Sequence, residues 1–215
     1  MKGRIMKIAV ISETSTADKN CHIISALNDR DHEIINLGMK EKGSAPELED
    51  YIQAGILAGL VLNLKRADYV VGGCSTGQGF LNVALQFPNV ICGQIRSPLN
   101  AWLFSQINGG NCISLTLNQD YGWGGDVNLG FIFDRLFGVE WGAGYPAHRK
   151  EFQKKGRETV ENLSKAIHPP LIQILRSMPN DLLVPILNFP GVKQMLDISS
   201  IPDNDVKKFF EDLLS

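Results

Sequence analysis

Long apolar runs are missing from this sequence: nowhere do about 18 apolar residues follow one another, so no segment is expected to cross a membrane as a helix. The start, MKGRIMKIAV, passes straight into a strand-like pattern without an apolar signal core or a small-residue cleavage site, and a cytoplasmic protein is expected. No charge dominates. The 21 Lys and Arg face 23 Asp and Glu, a net charge of -2, and no basic cluster is present to neutralise the phosphates of a polymer, so nucleic acid is not an expected partner. Cysteine is scarce as well. Cys21, Cys74, Cys92 and Cys112 form no CxxC pair, too few for a disulfide framework and wrongly spaced for structural zinc, and all four are read as reduced thiols. None of the four histidines, His22, His32, His148 and His168, follows a strand, which weakens a Cys-His nucleophile and leaves no metal-ligand set. Neither metal nor cofactor is expected.

With 44% hydrophobic and 20% charged residues, the 215 positions suffice for one main domain with a substantial core, and disorder is excluded. Ile- and Val-rich runs at 6–11, 33–37, 69–72, 90–95 and 112–115 are each followed by a helix-compatible segment, the signature of a parallel sheet with helices on both faces. The first helix is expected over Ala17 to Leu27, capped by Thr16 or Ser15. A second starts at Pro46, has Glu47, Glu49 and Asp50 in its first turn, and carries Leu48, Ile52, Ile56, Leu60 and Leu64 on one stripe. Leu57, Val61 and Leu62 widen that stripe toward a possible partner subunit. From Pro146 onward the strand runs stop, and 10 Lys and Arg with 9 Asp and Glu fall in helical patterns broken by prolines. The division is therefore an α/β domain over 1–145 and a helical C-terminal extension over 146–215.

The most informative segment is Gly72-Gly73-Cys74-Ser75-Thr76-Gly77-Gln78-Gly79, between the third strand and a helix beginning near Phe80. Ligands bind at such carboxyl ends of strands, and glycines let backbone amides turn toward an anion or an enediolate oxygen. The turn is not a phosphate-binding loop of the nucleotide type, which ends in Gly-Lys-Ser/Thr. Nor is there a dinucleotide fingerprint, because Ser12-Glu13-Thr14-Ser15-Thr16 after the first strand has no glycine. Cys74, at a strand end and ahead of a helix, is the chemical candidate; Cys21, Cys92 and Cys112 occupy apolar periodic positions and read as packing. The loop from Asp120 to Asp126, with Tyr121 and Trp123, reads either as an aromatic wall for a sugar or as a hydrophobic plug or subunit contact.

Lys7-Ile8-Ala9-Val10, His32 to Gly38 and the turn Gly73 to Gly79 together resemble the ribose-5-phosphate isomerase B and galactose-6-phosphate isomerase family over about residues 6–155. The resemblance implies a Rossmann-like three-layer αβα sandwich on a five-stranded parallel sheet, and a homodimer or homotetramer with active sites at the subunit boundary. It implies a small-molecule partner, a sugar or sugar phosphate, and an aldose-ketose isomerase in which Cys74 is the base that moves a proton through a cis-enediolate. Thr76 would assist ring opening, and the backbone from Ser75 through Gly77, Gln78 and Gly79 would hold the enediolate oxygen. Asn108-Gly109-Gly110-Asn111 is similar to the family's Asn pair and makes Asn108 and Asn111 substrate contacts. His148 and Arg149 match its phosphate-binding arginines in part. The family's Asp-His-Ala-Gly appears as Glu13-Thr14-Ser15-Thr16, which keeps the carboxylate of Glu13 and loses the histidine, and the family's second histidine falls on Ile107. Glu13 or Thr76 would then open the ring. A module that binds a sugar phosphate or another anion without turning it over is the alternative.

Overall fold

The computed structural model of the chain describes residues 5–28, 30–43, 48 and 50–214. Five parallel strands, β1 (Lys7–Ser12), β2 (Glu33–Asn36), β3 (Tyr69–Cys74), β4 (Cys92–Ile95) and β5 (Cys112–Thr116), form one sheet in the order β2-β1-β3-β5-β4. They correspond to the five Ile/Val-rich runs. β3 and β1 are buried on both faces, as strands covered on two sides must be, which is why they read as continuous apolar runs. Alternation along the strands divides the core. Ile8, Val10, Val71 and Ile113 face α1 (Asn20–Asn28), α4 (Pro98–Leu103) and α5 (Gly125–Phe137), while Ala9, Ile11, Val70 and Cys112 face α2 (Tyr51–Asn63) and α3 (Gln78–Ala84).

The extension is made of α6 (Lys150–Ile167), α7 (Leu171–Ser177), α8 (Asn180–Asn188), α9 (Val192–Leu196) and α10 (Asn204–Leu214). Pro170 and Pro179 stand at the N-caps of α7 and α8, as the sequence indicates, whereas Pro185, expected to break the chain into separate helices, lies inside α8. Leu175, Leu183, Ile186, Leu187, Leu196 and Phe210 join the same apolar cluster as α2.

Four expectations change. The first helix does not begin at Ala17 under a Thr16 or Ser15 cap: Glu13 caps a 3-10 turn, Thr14–Lys19, by accepting from the Ser15 amide at 2.6 Å, and α1 follows. A carboxylate outcompetes a hydroxyl there because it accepts a charge-assisted bond. α2 begins at Tyr51, with Asp50 accepting from the amides of Ile52 (2.8 Å) and Gln53 (3.0 Å), whereas Pro46, Glu47 and Glu49 lie outside the described residues. The apolar excess of α2 does not await a partner subunit, since Leu57, Val61 and Leu62 are all buried within one chain and α8 covers the face that the sheet leaves open. Cys21, read as packing, is exposed on α1.

Because extension and sheet share one core, Phe210→Ala should destabilise the whole protein by about 3–5 kcal/mol in one cooperative transition. Urea unfolding followed by circular dichroism and by fluorescence checks this; two separate transitions, or a loss below about 1 kcal/mol, would contradict it.

Candidate active site at the carboxyl edge of the sheet

The turn after β3 is built as its sequence suggests. Gly77 caps α3 at φ 72°, a backbone region that side chains disfavour, and its carbonyl accepts from the Ser114 hydroxyl at 2.5 Å. The Thr76 carbonyl accepts from Gln94 Nε2 at 2.8 Å and from Thr116 Oγ1 at 3.3 Å, and Thr76 Oγ1 accepts from the Gln78 amide at 3.3 Å. β5 and β4, which lie on the same side of β3, thus hold the turn. Cys74 ends β3 opposite Thr116 and is 5% exposed. Gly79 is held by packing: a Cβ there would lie 2.6 Å from the Tyr51 ring.

A hydrogen-bond chain ties the turn to its neighbours. Asn118 Nδ2 donates to Ser75 Oγ at 2.8 Å and to the Ser15 carbonyl at 3.0 Å, Ser75 Oγ lies 2.7 Å from Ser15 Oγ, and Ser15 Oγ donates to the carboxylate of Glu13. The direction is fixed by what each end can do. An amide nitrogen only donates and a carboxylate only accepts, so the single Ser15 proton goes to Glu13 and the Ser75 hydroxyl must donate into Ser15. The chain runs one way, from Asn118 after β5, through Ser75 after β3, to Glu13 after β1. Glu13, which is 3% exposed, has its carboxylate oxygens bonded to the Ser15 amide and hydroxyl, as a buried carboxylate requires.

The other candidate residues are not brought to this turn within one chain. Asn111 precedes β5 and so stands at the amino edge, where its Oδ1 accepts from the Ile91 amide (2.9 Å) and its Nδ2 donates to the Asn89 carbonyl (2.8 Å). Asn108, exposed, ends the π-helical turn Phe104–Asn108. His148 and Arg149 are exposed on the 3-10 turn Ala147–Arg149, and the Arg149 guanidinium sits 4.6 Å from the Phe152 ring centre. The segment leading to them is tied to that π-helical turn by the Gly142 and Gly144 amides, which donate to the Ser105 and Gln106 carbonyls at 2.9 and 3.2 Å.

Sequence reading missed Ser15 as a site residue, together with Asn118, Gln94 and Arg96. Each follows or ends a strand at the carboxyl edge, so the strand-end rule applied to all five strands would have found them. Arg96 pairs with Asp120, and behind Thr116 these two border a cavity of ≈ 30 Å³, room for a water and not for a sugar. Trp123 is fully exposed and plugs nothing in its own chain. Tyr121 instead packs inward, its hydroxyl 2.8 Å from His22 Nδ1 and its ring 5.3 Å beneath the Lys19 ammonium. Among the described residues no His, Cys, Asp and Glu cluster has the makings of a metal site, and no helix is long and apolar enough to cross a membrane.

Burial, followed by the Asp126 charge, pushes the Tyr121 phenol from its ordinary 10.0 to about 12. The folded value lies above the unfolded one, so the stabilisation is complete below pH 10 and is lost as pH rises through about 12. Phenol absorbance against pH should show a component near pH 12 that Tyr121→Phe lacks.

The model of the Ribose/Galactose Isomerase family matches residues 8–125. A 4-deoxy-L-threo-5-hexosulose-uronate ketol-isomerase, solved in complex with a tartrate, is 32% identical, with 97% of this chain and 99% of that one aligned at a TM-score of 0.90. A ribose-5-phosphate isomerase from Vibrio parahaemolyticus is also 32% identical over 98% of this chain and 100% of its own, at a TM-score of 0.90. In both, the likeness includes the helical extension. A ribose 5-phosphate isomerase from Thermotoga maritima, 18% identical, shares the fold at a TM-score of 0.57 over 71% of this chain and 99% of its own. No curated protein matches the chain. A family match over more than half of the residues, centred on the strands that carry the Cys74 turn, places this chain in the ribose/galactose isomerase family.

Proposed function

We propose that the protein is an aldose-ketose isomerase acting on a sugar with an anionic end, and that Cys74 is its base. The observation that carries the reading is the Cys74–Gly79 turn, held at the carboxyl edge of the sheet with its strand-end thiol beside a directed hydrogen-bond chain. In this reading Cys74 takes the proton from the carbon next to the carbonyl and returns it to the adjacent carbon through a cis-enediolate. The backbone from Ser75 to Gly79 faces the enediolate oxygen, and first-turn amides of α3 have no intrahelical partner, that of Gln78 being shared with Thr76 Oγ1. The hydroxyl proton that must also move, in ring opening and between the two oxygens, passes from the sugar through Ser75 and Ser15 to Glu13 and returns along the same series to the oxygen that receives it. The chain so fills the role of the absent histidines, with Thr76 at the rim.

The anionic end is a phosphate in the first version of this reading, held by Arg149 with His148. A single arginine in place of a cluster, and the likeness along the whole chain to a uronate ketol-isomerase, favour a carboxylate as the second version. Both versions need a second copy of the chain, because Asn108, His148 and Arg149 do not reach the turn of their own subunit. A homodimer or larger assembly with shared sites follows, each sheet's open carboxyl edge being completed by the partner.

Proton exchange identifies the chemistry without the product. In deuterium oxide, a panel of pentose and hexose phosphates and hexuronates should show one member that gains deuterium beside its carbonyl, and Cys74→Ala should lower that rate by at least about a thousandfold while the sugar still binds. Binding without exchange across the panel would favour the non-catalytic module. Arg149→Ala should raise KM more than it lowers kcat, because an anionic end is bound alike in ground and transition states. Mixing inactive Cys74→Ala with Arg149→Ala subunits should restore part of the activity; no recovery after confirmed subunit exchange would refute the shared site.

A further inference from the structure

Two cysteines that the isomerase reading leaves unused stand side by side in the sheet. Cys92 opens β4 and Cys112 opens β5, the two are register partners in a parallel pair, and both sulfurs belong to the apolar cluster on the α2 and α3 side. Neighbouring strands run about 4.8 Å apart, and disulfides span Cα separations of about 4.4–6.8 Å, so this pair can be bridged with little movement of the backbone. Cys112 is fully buried and Cys92 half-buried.

No other two of the four cysteines are placed this way. Cys74 is in register with Thr116, four positions beyond Cys112 along β5 and so about 13 Å farther up the sheet, and β5 separates it from Cys92. Cys21 is exposed on α1, on the opposite face. The paired thiols are also unequal. Burial, followed by the Cys92 thiol as hydrogen-bonding neighbour, pushes the Cys112 thiol well above its ordinary range, so Cys112 stays protonated. Its other contact, to the Ile113 carbonyl at 3.9 Å, is long. Cys92 is the one of the two that a reagent from solvent meets first.

We propose that Cys92 and Cys112 form an oxidation site, a thiol pair that a hydroperoxide converts into a reversible cross-strand disulfide. Cys92, as thiolate, attacks one peroxide oxygen: the S–O bond forms as the O–O bond breaks, Cys92 becomes a sulfenic acid, and the other oxygen leaves as water or an alcohol with the proton that Cys92 gave up. The Cys112 sulfur then attacks that of Cys92, the S–S bond forms as the S–O bond breaks, and the departing hydroxide takes the Cys112 proton and leaves as water. Two thiols lose two electrons and the peroxide gains them. The second step needs nothing from solvent, so the burial of Cys112 does not impede it. The product staples the edge strand β4 to β5. No step uses Cys74, so the site goes beyond the isomerase reading and does not depend on it.

Peptide mapping reads each thiol separately, because cleavage after Phe80 and Arg96 by chymotrypsin and trypsin parts Cys74, Cys92 and Cys112. The reduced full chain is treated with hydrogen peroxide, raised until the exposed Cys21 is oxidised, and its remaining thiols are then alkylated with N-ethylmaleimide in denaturant. Cys92 and Cys112 should lose their label together and appear in one joined peptide pair that dithiothreitol releases, and Cys74→Ala should give the same pair. Cys112→Ser should leave Cys92 as a sulfenic acid that dimedone tags at least about tenfold more than in the wild type. The proposal falls if Cys92 and Cys112 keep their label when Cys21 has been oxidised, if either is joined to another cysteine instead, or if dimedone tags Cys92 equally with and without Cys112. The wild-type map decides by itself should Cys112→Ser fail to fold.

Discussion

The apolar surface of α2 is the constraint around which the molecule is organised. Every residue from Gln53 to Leu62 is buried, so the helix needs cover on all sides, which a sheet alone cannot give. The sheet takes one face, α3 a second and α8 a third. Close approach is possible because Gly59 lacks a side chain: a Cβ there would fall 2.3 Å from the Phe87 ring. Without the helices after Pro170 the outer face of α2 would be a hydrophobic patch, so the extension is part of the same core as the sheet.

The same packing positions the chemistry. α2 and α3 fix β3 and the start of the turn, and β1 and β5 then bring Ser15 and Asn118 to either side of Ser75. A buried Glu13 carboxylate needs donors, Ser15 supplies two, and the remaining hydroxyl and amide fall into one directed series. Thr14 and Ile107 stand where the resemblance places the family's histidines, so in the proposed reading the oxygen chemistry falls to a carboxylate and two serines.

The two edges of the sheet differ in kind. The carboxyl edge carries amides, hydroxyls and the thiol around an open turn, with little enclosed volume in one chain. The amino edge has a larger cavity beside α6. An open edge suits a site completed by another subunit.

The sequence by itself determined the five strands, their parallel arrangement, the proline-divided helical extension and the Cys74 turn. Those features depend on local periodicity, on strands buried on both faces, and on the conformations that glycine and proline permit. The family resemblance also marked Glu13, as the carboxylate kept from Asp-His-Ala-Gly. Only the tertiary structure decided that the surplus apolar face of α2 is met within its own chain, since periodicity shows that a face is apolar and not what covers it. Only the structure separated Asn111 from the turn, because a residue before a parallel strand and one after its neighbour lie at opposite ends of the sheet however close their motifs look in line. The Asn118–Ser75–Ser15–Glu13 series was illegible for the same reason: its members are up to 105 positions apart in the chain, and a hydrogen bond is set by distance in space.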